Sequence, residues 1–317
     1  MISSVKVAQD ILAKEIGKLQ LDDPCWLIQI GSMNWRNTML DKSRQVTSPW
    51  TLVILSVGFI MAVLDTTGVV LAVPTIEVEL HIALNDSIWI LNAYILALSS
   101  LLLASGNLAR KFGAKRLFIT GMLFFVGASI GSGISTNIWM MVFFRLFQGA
   151  GAAMFMPSAM TILFVSYSES KTRARVLGIW TAIISVATGT GSLIGGTLVT
   201  NFGWHSIFYI NVPLGIVAIL YVQHLKIDDP HDKLLKINIL DNVVLFGTLS
   251  SLVIFLVEIS QKNDQNNNSV VLFGVLFIIF SILLVFLEKK SQKPIIPIEL
   301  LKRPQFLMSN LFGFVIN

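Results

Sequence analysis

Arg145 is the only charged residue between Leu117 and Ser168. A guanidinium stays charged at any physiological pH. In so apolar a run it costs a few kcal/mol or more unless it meets a partner or a polar cavity. The residues after it read RLFQGAGAAMFMPSAM, placing Gln148 one helical turn on, followed by small residues and a proline. Asp65 is the counterpart of opposite sign, the only charge between Thr51 and Ile76. A carboxylate and a guanidinium, each alone in an apolar run, allow two kinds of chemistry. One is a permanent ion pair that ties two helices together. The other is a proton site, in which the carboxylate changes protonation as water or Arg145 faces it.

Both readings require membrane-spanning helices. The run Leu117–Ser168 holds 52 residues, several times the ~20 that one helical crossing needs. It therefore divides into two helices, with the turn expected at Ser135-Thr136-Asn137. Arg145 then lies roughly 12 Å in from that turn, and Asp65 roughly 16 Å in from the end of its own helix near Ile76. The similar depth, counted from the same side, argues for one shared polar cavity.

The composition fits. The chain is 54% hydrophobic and 13% charged, with mean hydropathy +0.75. A soluble protein carries about 25% charged residues. Apolar spans are expected at about 51–76, 87–109, 117–135, 138–160, 176–199, 206–223, 240–258 and 269–288, with a ninth beginning near Phe306. The fold class is thus an all-α integral membrane protein. Trp50, Trp89, Trp139, Trp204 and Tyr221 stand at span ends, as an aromatic belt would have them. The net charge of +5 is not a nucleic-acid signal, because the basic residues sit between apolar runs. Cys25 is the single cysteine, and the four histidines lack metal-ligand spacing. No metal, cofactor or nucleophile–base set is expected, and hence no enzyme.

Lysine and arginine set the orientation. Six precede the first span. Further groups lie at Arg110, Lys111, Lys115 and Arg116, at Lys171, Arg173 and Arg175, at Lys226, Lys233 and Lys236, and from Lys289 to Arg303. The alternate loops hold only Lys262. The positive-inside rule puts the amino terminus in the cytoplasm, with residues 1–48 as a cytoplasmic arm. The loop GNLARKFGAKR has glycines at 106 and 113 on either side of its charges, which suits tight helix ends. Span five, with Gly178, Gly189, Gly191, Gly195 and Gly196, reads either as a packing face or as a seal against another half of a transporter. Tyr94, Met154 and Phe155, with Met156, are candidates for lining a cavity for amphipathic compounds. They read equally well as ordinary helix or lipid contacts.

Several stretches together resemble the major facilitator superfamily, and within it the fourteen-span drug:proton antiporter branch. LDTTGVVLAVP resembles the first-span L-D-x-T-V-V-N-V-A-L-P. WILNAYILA resembles W-x-x-x-A-Y-x-L. GNLARKFGAKR resembles the loop G-x-L-A-D-R-x-G-R-K. RLFQGAGAA agrees with R-x-x-Q-G-x-G-A-A at each fixed position. TGTGSLIGG and WHSIFYINVPLG resemble the span-five antiporter motif and the segment after it. The resemblance implies a six-helix amino-terminal bundle at 49–224, built from two inverted three-helix repeats. It also implies a linker with two inserted helices at 225–288, and at 289–317 a cytoplasmic loop with the start of a ninth span. Carried over by position, Arg145 and Gln148 become the proton-coupling pair and Asp65 the embedded acid. Gly106, Arg110, Lys111, Gly113 and Arg116 become the gating loop, and Gly189, Gly191, Gly195 and Gly196 the interface between halves.

The chain departs from the pattern in four places. The family's loop aspartate is Arg110, its span-five proline is Ser192, its first-span asparagine is Val70, and the basic residue after Trp204 is His205. The implied function is secondary transport in the plasma membrane, exchanging protons for drug-like or amphipathic small molecules. The alternatives are a transport-inactive remnant, or one piece of a split transporter whose second chain supplies the remaining spans, since six of fourteen are missing or barely begun. A metabolite carrier of the same fold is a further alternative.

Overall fold

A computed structural model describes residues 49–167, 169–226, 239–260 and 267–290. The arm 1–48, most of the linker and the segment 291–317 lie outside the described residues. So do the expectations that fall on them, including the ninth span. The described residues form helices and no strand. In chain order these are α1 (Pro49–Leu80), α2 (Leu84–Phe112), α3 (Ala114–Gly133), α4 (Ile138–Ser166), α5 (Ser170–Phe202), α6 (His205–Tyr209), α7 (Asn211–His224), α8 (Ile239–Ser260) and α9 (Asn267–Lys290). Taking α6 and α7 as one crossing, eight are long and apolar enough to span a membrane. This is an all-α multi-pass membrane fold.

Local chemistry fixes the ends. Asn137 caps α4 by accepting from the Met140 amide at 2.9 Å, so the chain turns at residues 134–137. Gly113 closes α2 with φ +94°, donating its N–H to the Ala109 carbonyl at 2.9 Å. Few residues other than glycine take such an angle without strain. Gly106, by contrast, lies inside α2 with open space beside it. The expectation of a helix end at Gly106 is therefore corrected: α2 continues to Phe112. Arg110 and Lys111 stand in its last turn, where the helix dipole favours positive charge.

Helices α1–α7 pack around two apolar cores. One is built on Leu55, Met61, Phe118, Phe125, Phe155 and Val222. The other holds Val69, Ile76, Ile90, Met141, Trp204 and Phe208. Asp65 lies on α1 between Met61 and Val69, so the polar layer described below is sandwiched between them. Close approach makes this possible. A Cβ on Gly149 would meet the Tyr94 carbonyl oxygen at 2.3 Å, so only glycine there lets α4 lie this tightly on α2. Helix α8 docks on α2, where Ser250 Oγ is 3.1 Å from Ser100 Oγ. Helix α9 packs on α8 through reciprocal glycine–phenylalanine contacts, Gly247 with Phe280 and Gly274 with Phe255.

Candidate functional site

Asp65 and Arg145 meet. One guanidinium nitrogen of Arg145 donates to Asp65 Oδ2. The same nitrogen lies 2.9 Å from Gln148 Oε1, and Arg145 Nε lies 2.9 Å from the Ile90 carbonyl oxygen. Gln148 in turn donates its Nε2 to Asp65 Oδ1 at 2.7 Å. The acid, the base and the amide thus close a ring in which each touches the other two. The spacing explains it: Arg145 and Gln148 are one turn apart on α4 and face the same side.

Desolvation makes the arrangement costly. Asp65, Arg145 and Gln148 are all 0% exposed. A buried pair compensates its desolvation only where further hydrogen bonds complete the shell, and the structure provides them. Tyr94 lies with its ring 4.5 Å from the guanidinium carbon, a cation–π contact strengthened by burial. Ser129 on α3 accepts from Gln148 Nε2 at 2.8 Å and from Asn211 Nδ2 at 3.2 Å. Helices α1, α2, α3, α4 and α7 each contribute a group. Sequence reasoning named Asp65, Arg145, Gln148 and Tyr94 but missed Ser129 and Asn211.

The remaining expected site residues fall elsewhere. Phe155 is buried edge-on between Phe118 and Phe125. Met154 is half-buried, with its Cβ against Gly121 of α3. Neither lines the open cleft of 510 Å³ between α1 and α5, whose walls include Ile60, Leu64, Ile179, Ile183, Val186 and Ala187. Tyr94 is committed to Arg145. In the loop, Arg110 and Arg116 are exposed, Lys111 lies 5.5 Å from the Phe112 ring centre, and Lys115 donates to the Leu225 carbonyl at 2.7 Å.

The span-five glycines divide. A Cβ on Gly191 would meet Thr67 Oγ1 at 2.6 Å, and one on Gly195 would meet Gly68 Cα at 2.7 Å. These two glycines are spent on α1, within the bundle. Gly196 borders Leu71 of α1 at 3.7 Å, while Gly189 faces open space. The small size of Gly191 and Gly195 serves the α1–α5 contact. At the end of the bundle that carries the α3–α4 turn, Trp204 Nε1 donates to Glu79 at 2.8 Å and His205 stacks on Trp204. Among the described residues no group of three metal-binding side chains occurs.

Residues 55–317 match the profile of the Major Facilitator Superfamily. A methylenomycin A resistance protein of Bacillus subtilis (strain 168) is 36% identical over 278 residues, covering 88% of this chain and 59% of the relative. A protein of the same description from Streptomyces coelicolor is 33% identical over 274 residues, covering 86% and 57%. The chain thus spans somewhat over half the length of the curated relatives it matches. Among solved structures, the peptide transporter POT in complex with sulfate superposes with TM-score 0.59 at 17% identity, over 82% of this chain and 57% of that one. That likeness is one of fold alone.

Proposed function

Since this chain belongs to the Major Facilitator Superfamily, we propose that it serves proton-coupled export of small drug-like or amphipathic molecules across the plasma membrane. The observation that carries this reading is the buried ring of Asp65, Arg145 and Gln148. Its chemistry suits a proton switch. Arg145 cannot give up its charge, whereas Asp65 can take a proton. A proton on Asp65 cancels the attraction across the ring. Arg145 then keeps the Ile90 carbonyl, the Gln148 amide oxygen and the Tyr94 ring as its partners. The cation keeps these hydrogen bonds while its hold on α1 is weakened. That is a bistable contact between two helices, biased by one proton.

The apolar cleft between α1 and α5 begins at Leu64, next in sequence to Asp65. An apolar compound there reports directly on the helix that carries the acid. Methylenomycin A resistance in the relatives supports a small antibiotic-like substrate. In this reading residues 49–224 are the amino-terminal six-helix half, and α8 and α9 are an inserted pair. The basic loops face the cytoplasm, as the lysine and arginine distribution supports.

The test is dye transport by the purified full chain in liposomes under an imposed proton gradient. The wild type is expected to move a lipophilic cationic dye, and Asp65→Asn to abolish movement while remaining folded. Undiminished transport by Asp65→Asn would exclude Asp65 as the proton site.

A further inference from the structure

Resting on that proton-coupled reading, we propose that a row of serines along α3 conducts protons between the Asp65 ring and the α3–α4 turn. Ser129 and Ser132 lie on α3, and Ser135 in the turn that follows. Ser129 and Ser132 are 0% exposed and Ser135 is 4% exposed. Each serine is three residues from the next, so successive hydroxyls are neighbours on the helix surface, and the row rises roughly 9 Å. On the proposed orientation this turn lies at the outer surface. Opposite the row, Asn211 opens α7 and reaches Ser129.

The hydrogen bonding of Ser132, in the middle of the row, is unusual. Hydroxyls in buried helices ordinarily satisfy themselves on the carbonyl one turn back. Ser56, Thr66, Thr67, Ser135 and Ser158 all do so. Ser132 does not. Its Oγ and the Asn211 Oδ1 are buried and have no hydrogen-bond partner among the described residues. Leaving such a group unpaired costs about 1–3 kcal/mol. Two such groups, one of them on the side chain that reaches Ser129, are the chemistry of a site that takes water.

At the inner end stands Gln148. Its Nε2 is 2.8 Å from Ser129 Oγ and 2.7 Å from Asp65 Oδ1. The serine and carboxylate oxygens are therefore near enough for one water to bridge them once the amide moves aside. An amide is a poor proton carrier, so Gln148 acts as the shutter. With Nε2 in place the carboxylate is paired; with it swung away, the row reaches the acid. The proton balance is simple. A hydronium at the turn gives up one proton, and each hydroxyl or water along the row accepts one and releases one. The Asp65 carboxylate takes the last, forming its O–H bond. The net change is hydronium and carboxylate to water and carboxylic acid, with the serines unchanged.

The experiment follows the proton itself. With Cys25, the only native cysteine, replaced by serine, Ser132→Cys places a thiol in the row. Its infrared S–H band is followed after transfer of the full chain into D2O. Met122→Cys, at a residue 0% exposed in the apolar core, is the control. The Ser132 thiol is expected to exchange on the order of tenfold faster or more than the Met122 thiol. Equal rates would overturn the proposal.

The functional arm uses Ser132→Val in liposomes. Proton-coupled dye flux is expected to fall about tenfold with the apparent KM for dye unchanged, and to return in Ser132→Thr. Ser132→Ala, smaller than the native residue, guards against misfolding and should lose flux as well. Full flux in both Ser132→Val and Ser132→Ala would overturn the route even where the thiol exchanges. Absence of flux in the wild type would count against the exporter reading and leave the thiol result to decide the row.

Discussion

Removing one member of the Asp65–Arg145 pair should cost far more than removing both. In Asp65→Leu the guanidinium loses its counter-ion and Gln148 Nε2 loses one of its two acceptors. Arg145 keeps the Ile90 carbonyl at 2.9 Å, Gln148 Oε1 at 2.9 Å and the Tyr94 ring at 4.5 Å. These satisfy hydrogen bonds but leave a full charge in a site that is 0% exposed. Breaking a buried pair in this way costs about 3–5 kcal/mol, whereas replacing both partners by apolar residues of similar volume is often neutral or stabilising. Asp65→Leu combined with Arg145→Met should therefore recover about 2 kcal/mol or more relative to the sum of the single variants. The assay is equilibrium unfolding of the purified chain in detergent, followed by tryptophan fluorescence, with Trp204 as a buried reporter at 1% exposure. Additive single and double variants would refute the reasoning, because the two charges would then not depend on each other.

Packing and the ends of the bundle give further tests by the same unfolding assay. Gly149→Ala should destabilise by about 1–3 kcal/mol, since its Cβ would sit 2.3 Å from a backbone oxygen. Gly178→Ala, with nothing within 4 Å, should be neutral or stabilising by up to about 1 kcal/mol. Gly195→Leu should separate α1 from α5 and cost stability even though the residue carries no polar chemistry. A disulfide between cysteines placed at Thr67 and Gly191 should form in the wild-type packing and fail in that variant. Trp204→Phe should lose the bond to Glu79 at a cost of about 1 kcal/mol, and Glu79→Gln in that background should add little.

Much of the site was legible because burying charge is so costly. A single arginine in an uncharged run, and a single aspartate at matched depth, can only be explained by each other or by water. Counting residues at the helical rise placed them at similar depth, and the packed helices bring them into contact. Gln148 followed from its position one turn beyond Arg145. Ser129 and Asn211 were not legible, because serine and asparagine are common in membrane helices and usually satisfy themselves locally. Their role appears only when α3 and α7 are brought together across 82 positions of sequence. Glycine announces a close approach but not the partner, which for Gly191 and Gly195 is α1. Gly106 looked like a helix end beside a basic loop, yet the helix ran on, since its charges are stabilised at the carboxy-terminal turn. The eight spans were the easiest part, because in lipid a long apolar run has few alternatives to a helix.

The most direct measurement is the proton released when a drug-like ligand binds. The purified full chain, in weakly buffered detergent solution with a pH-sensitive dye, is titrated with a lipophilic cation. If Asp65 carries the exchanged proton, the wild type releases protons on binding, and Asp65→Asn binds the same ligand with no release. Proton release by Asp65→Asn equal to that of the wild type would contradict the assignment.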